Sequence, residues 1–193
     1  MSILAELGLL IRLSHSQGIA RRYFVVNGFD GALAMLGLNM GFYLSGGVAT
    51  GTAVSACTGT AIALGMSGLS SGYVSEMAEK KRELRELERA MVTDLEESVH
   101  AMAARLVPVL IALVNGVAPF LIAMLVTMPL WLEQAGVSMP IAALHAAILT
   151  AFAVIFLMGI WLGRISGTFW LWSALRTVAI AIATCALILL VTA

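Results

Sequence analysis

The chain has 193 residues, is 61% hydrophobic and only 11% charged, and has no formal net charge. A soluble domain of this size carries roughly a quarter charged residues, so the composition points to an integral membrane protein. It implies no nucleic-acid partner, and no nucleophile–base pair or closed metal-ligand motif such as H-E-x-x-H argues for an enzyme or an organic cofactor.

Residues 1–22 place Leu4, Leu7, Leu10 and Ile11 at helical spacing, with Arg12, Arg21 and Arg22 as the basic residues. A secretory signal has its positive charge ahead of the apolar run, whereas here the arginines follow it. The segment reads as an amphipathic interfacial helix, with Arg21 and Arg22 anchoring the first span at the cytoplasmic side.

The first span is expected at 23–47, with Asn27 and Asp30 near its cytoplasmic end, and the second at 50–75, rich in Gly, Ala, Ser and Thr. Pairs such as Gly37 and Gly41, or Gly68 and Gly72, are spaced to let helix backbones approach closely. The third span is expected at 106–132. Asn115, Gly116 and Pro119 fall in its middle, where proline predicts a kink or local unwinding of the kind that also lines transport sites. The fourth and fifth spans are expected at 139–162 and from 169 to the C-terminus, so residues 106–193 hold the last three. Both cysteines, Cys57 and Cys185, sit in apolar runs and read as free thiols. The fold class is therefore all-α and polytopic, with five transmembrane helices. Every Lys and Arg lies in 1–22, 75–105 or 163–168, or, for Arg176, within snorkelling reach of the last. Positive-inside bias then places the N-terminus in the cytoplasm.

The segment 75–105 holds eight of the eleven Asp/Glu residues and six of the eleven Lys/Arg. So many charges require water, and 76–105 reads as a cytosolic continuation of the second span. On a helical wheel Met77, Leu84, Leu87, Met91, Leu95 and Met102 share an arc of about 80°. Glu76, Glu79, Glu83, Glu86, Asp94 and Glu97 share an adjoining arc of similar width. One reading is a solvated helix packed on a partner, its charges neutralised by intrahelical pairs. The other is a metal-gathering edge, where carboxylates with Met sulfur nearby suit a transition-metal ion of intermediate softness better than Mg²⁺ or Ca²⁺.

Asp30 lies about two turns into the first span, where an ionisable residue is costly and marks a functional position unless an interfacial cation pairs with it. Asn27 shares its face, and Met66 offers sulfur from the second span. Asp30, Asn27, Met66 and Asn115 are the candidate pathway residues. Asp30 also joins Glu76, Glu79, Glu83, Glu86, Asp94 and Glu97 as a candidate metal ligand.

The stretch 22–31, Arg-Tyr-Phe-Val-Val-Asn-Gly-Phe-Asp-Gly, resembles the first-helix signature of the vacuolar iron transporter family, as 67–79, Ser-Gly-Leu-Ser-Ser-Gly-Tyr-Val-Ser-Glu-Met-Ala-Glu, resembles the end of its second helix. The resemblance implies a homodimer in the lipid bilayer that moves Fe²⁺, and often Mn²⁺, out of the cytosol in exchange for protons. It implies that Asp30 lies in the membrane pathway and that cytosolic glutamates collect metal. The chain departs from the family pattern where Gly68 stands for Met, Thr60 for Glu, and Tyr23 and its apolar neighbours for acidic residues ahead of Asp-Gly, and its cytosolic segment is shorter. The expected location is multi-pass in the cell membrane of a prokaryote. The alternative is a non-transporting dimeric membrane module that senses metal or presents its cytosolic helix to a partner.

Overall fold

The computed structural model describes residues 16–91 and 99–192, all of the regular structure being helical. Five helices follow one another: α1 Ser16–Leu44, α2 Thr50–Met91, α3 Val99–Gln134, α4 Ala143–Ser166 and α5 Trp170–Thr192. Four of them, α2 to α5, are long and apolar enough to cross a membrane, which indicates a multi-pass membrane protein. Asn27, Asp30 and Asn39 make α1 more polar than α3, α4 and α5.

Glycines at positive φ end three of these helices. Gly46 and Gly47 (φ 85° and 94°) turn the chain from α1 towards α2, Gly136 (φ 82°) follows α3, and Gly167 (φ 69°) caps α4 by donating its N–H to the Gly163 carbonyl. Such left-handed backbone is cheap only for glycine.

At 42 residues, α2 is about 63 Å long. A hydrocarbon layer of about 30 Å takes up roughly half of that. The apolar, small-residue half fits the layer, and the half from Glu76 to Met91 carries the charge beyond it, as a continuous helix. Of the charged helix expected over 76–105, the part up to Met91 belongs to α2, and Met102 and Arg105 lie on α3, which begins at Val99. Asp94, Leu95 and Glu97 lie outside the described residues, as does most of the interfacial segment expected at 1–22.

Packing is most extensive between α2 and α3, which form a long antiparallel hairpin; α1 lies mainly on α3, and α5 on α4. Glycine permits each close approach. A Cβ on Gly116 would lie 2.8 Å from the Leu69 backbone nitrogen, one on Gly31 2.9 Å from the Pro119 Cα, and one on Gly159 2.6 Å from the Ala174 Cα. In a bilayer, where apolar burial gives no advantage over lipid, such backbone proximity supplies the van der Waals contact that holds helices together. Between the helices Met35, Leu36, Val126, Leu130 and Ile155 are fully buried. The outer surface is apolar too: Leu187, Leu190 and Val191 of α5 are mostly exposed, as a lipid-facing surface requires.

The unwinding expected at Pro119 does not occur. The helix α3 runs through Pro108, Pro119 and Pro129 without a break in its assignment. Proline removes only its own N–H, and the carbonyl left without that donor is the one four residues earlier. For Pro119 that is Asn115, whose carbonyl faces Gly68 on α2.

Gly116→Leu should therefore push α2 from α3 and lower stability by about 3 kcal/mol. Gly59→Ala, where a Cβ meets open space, should leave stability unchanged or raise it by up to about 1 kcal/mol. Thermal unfolding of the two variants purified in detergent measures both.

Candidate functional site

Three helices meet near the point where α2 leaves the apolar layer. Gly65, Gly68, Gly72 and Glu76 are all buried on α2, and their three- and four-residue spacing makes them one stripe. The first three have no side chain, so α3 lies directly against the backbone there. Glu76 continues the stripe and meets α1: the Tyr23 hydroxyl donates to its Oε1 at 3.0 Å.

From Tyr23 the polar chain runs deeper. Asn27 donates its amide to the Tyr23 carbonyl at 2.9 Å and also to the Asn115 side-chain oxygen. Asn115 is buried and donates its own amide to the Gly68 carbonyl at 2.6 Å. Glu76, Tyr23, Asn27, Asn115 and the Gly68 backbone thus form one connected network over α1, α2 and α3. Each buried polar group in it has a partner, which removes the several-kcal/mol cost of leaving such a group unpaired in an apolar setting.

Of the candidate pathway residues, Asn27 and Asn115 are brought together. Asp30 is not in their network. It lies on the outward side of α1, exposed, with no hydrogen-bond or ion-pair partner among the described residues. The Arg22 partner that would explain it as an interfacial pair is absent: the Arg22 guanidinium lies 5.8 Å from the centre of the Tyr23 ring instead. Asp30 precedes Gly31, the point of contact with Pro119, and so sits at the level where α1 crosses α3. Met66 points away from α1. It is 59% exposed and lines an apolar groove between α2 and α3 with Ile62, Leu69 and Val117.

The acidic edge divides in two. Glu76 is turned into the bundle, while Glu79, Glu83 and Glu86 are exposed on the projecting half of α2. Lys80 pairs with Glu83 at 2.5 Å and Arg82 with Glu86 at 2.9 Å. The Glu86 carboxylate holds the Arg82 guanidinium above its usual pKa. Both pairs lie along one helix, and solvent screens the exposed Arg82–Glu86 pair. Among the described residues no three His, Cys, Asp or Glu side chains come together as a metal cage.

Gly68 and Thr60, two of the departures from the transporter pattern, have separate structural causes. A Cβ on Gly68 would lie 2.9 Å from both the Asn115 carbonyl carbon and the Gly116 Cα, so the α2–α3 contact admits no methionine there. Thr60 turns its hydroxyl back to the Ala56 carbonyl at 2.8 Å, satisfying it within its own helix.

A second polar junction lies further along the bundle. Asn39 is fully buried, donates to the Met35 carbonyl at 2.9 Å and faces the Cys57 sulfur at 4.0 Å. Thr127 completes it, with its hydroxyl on the Ala123 carbonyl and 3.7 Å from the Met35 sulfur.

Neither Tyr23 nor the Gly68 carbonyl was expected at the site. The three- and four-residue spacing of Gly65, Gly68, Gly72 and Glu76 was the available signal for the buried glutamate. No protein-family model, curated protein or solved structure matches the chain in the comparisons made with them.

Tyr23→Phe removes the donor to Glu76 and leaves the carboxylate buried without it, which should cost about 1–3 kcal/mol of stability. Glu76→Gln keeps an oxygen for the Tyr23 hydroxyl and should cost less. Melting temperatures of both variants in detergent give the comparison.

Proposed function

We propose that this chain is a five-span membrane carrier with a cytoplasmic N-terminus. It would move a divalent metal, Fe²⁺ or Mn²⁺, out of the cytosol in exchange for protons, working as a homodimer in the membrane. The observation that carries the reading is Asp30, an unpaired carboxylate at the level of the α1–α3 crossing. An ionisable group kept unpaired at membrane depth costs a few kcal/mol, and a cargo or a proton that it binds offsets this. Asn27 and Asn115, the other polar pathway candidates, are hydrogen-bonded to each other where α1 meets α3, apart from Asp30. Glu79, Glu83 and Glu86 on the projecting half of α2, with the candidates Asp94 and Glu97 beyond it, would raise the local cation concentration at the cytosolic mouth. Here α1 counts as the fifth span: 29 residues give about 43 Å, enough to cross.

A second reading is favoured by one specific observation. Glu83 and Glu86 are neutralised within α2, as expected of a charged helix presented to a partner by a module that senses metal or does not transport at all. Titration calorimetry with Mn²⁺ alongside a flux assay separates the two, since a carrier gives flux and a sensor gives binding alone.

Asp30→Asn should reduce Mn²⁺ flux into reconstituted vesicles at least tenfold while the variant elutes and melts like the parent. Undiminished flux in that variant removes Asp30 from the mechanism.

A further inference from the structure

Two grooves on the outer surface join into one. The first, between the start of α1 and the end of α4, is lined by Gly18, Arg21, Arg22 and Ile165 around Val25, Val26 and Leu162. The second uses the same Val25, Val26 and Leu162 and continues along the bundle past Phe29, Met158 and Ile180. Its single hydroxyl, on Thr177, is turned away to the Ile155 and Ala174 carbonyls. The combined groove therefore has a doubly cationic end and a wholly apolar body.

Among the described residues the cationic end is uncompensated. The ion pairs among the described residues are Lys80–Glu83 and Arg82–Glu86, both on α2, so no carboxylate there neutralises Arg21 or Arg22. Arg22 lies over the Tyr23 ring, which holds the guanidinium in place and leaves its charge intact. Arg176 lies outside the groove lining, one turn before Ile180 on α5, its guanidinium 5.6 Å from the Trp172 ring. Paired arginines at the membrane–water boundary, above an apolar groove about two helical turns long, match a molecule with an anionic head and a hydrocarbon tail.

We infer that this groove is a site for one anionic phospholipid. The phosphate sits between Arg21 and Arg22, and an acyl chain runs along Val26, Leu162, Met158 and Ile180. Ordinary annular lipid needs no charge, whereas this site selects it, because two guanidiniums at the boundary attract a phosphate that carries no compensating choline. The inference goes beyond the transport reading and holds whether or not the chain carries metal.

Native mass spectrometry of the full chain in neutral detergent tests it, with phosphatidylglycerol and phosphatidylcholine of identical acyl chains as probes. One phosphatidylglycerol per chain should be retained with about thirty-fold preference, the equivalent of two basic residues at the membrane surface. Arg21→Gln with Arg22→Gln should abolish that preference, and the single variants should each remove part of it if the double variant does not fold. Val26→Trp, which fills the body of the groove, should weaken both lipids, and Arg164→Gln, outside the groove, should change neither. Equal retention of the two lipids overturns the site. So does a preference that survives loss of both arginines, displacement of the lipid by millimolar inorganic phosphate, or a dimer whose second copy excludes it.

Discussion

The structure depends on the contact between the Gly68 backbone and Asn115. At that point α2 and α3 approach too closely for any side chain on α2, and the asparagine amide is tied to the Gly68 carbonyl. Helices in lipid cannot be driven together by burying apolar surface, so close backbone contact and a hydrogen bond take over that role. The remaining polar features build on it. Asn115 is positioned to accept from Asn27, Asn27 reaches the Tyr23 carbonyl, and Tyr23 holds Glu76. Loss of the α2–α3 contact would leave each of these groups buried with part of its hydrogen bonding unmet.

The same contact separates two kinds of acidic residue that look alike on a helical wheel. Glu76 lies in the glycine stripe and is drawn into the bundle, where it is 8% exposed. Glu79, Glu83 and Glu86 come after α3 has ceased to demand a glycine surface, and they face water. Asp30 differs from both: it stands on the outward side of α1 with nothing paired to it among the described residues. A carboxylate of this kind in an apolar surface is the feature hardest to explain as packing, and the proposed function rests on it.

Much of the fold was legible in the sequence because hydropathy and charge are strong, local signals. The end of the first helix and the start of the second, near Gly46, Gly47 and Thr50, follow from turn glycines and the apolar run. The continuity of α2 into its charged half follows from the lack of any breaker near Tyr73. That Met102 and Arg105 belong to α3 was not legible, since 92–105 keeps helical periodicity and carries no Gly or Pro. Pro119 was over-read as a point of unwinding: α3 stays helical through it, and the close approach of Gly31 lies there. The candidate site was half legible. Asn27 and Asn115 could be named individually, but their meeting across 88 positions is a tertiary fact. Glu76 was assigned to the solvated edge because a wheel built on 76–105 alone ignores the glycines that precede it.

The central claim, that this bundle exchanges a divalent metal for protons, is tested most directly by the wild-type chain in sealed vesicles holding a luminal pH dye. Adding Mn²⁺ outside should bring metal in and make the lumen more alkaline, at a rate that scales with the amount of protein and vanishes in protein-free vesicles. A lumen whose pH and metal content stay at the protein-free baseline would contradict it.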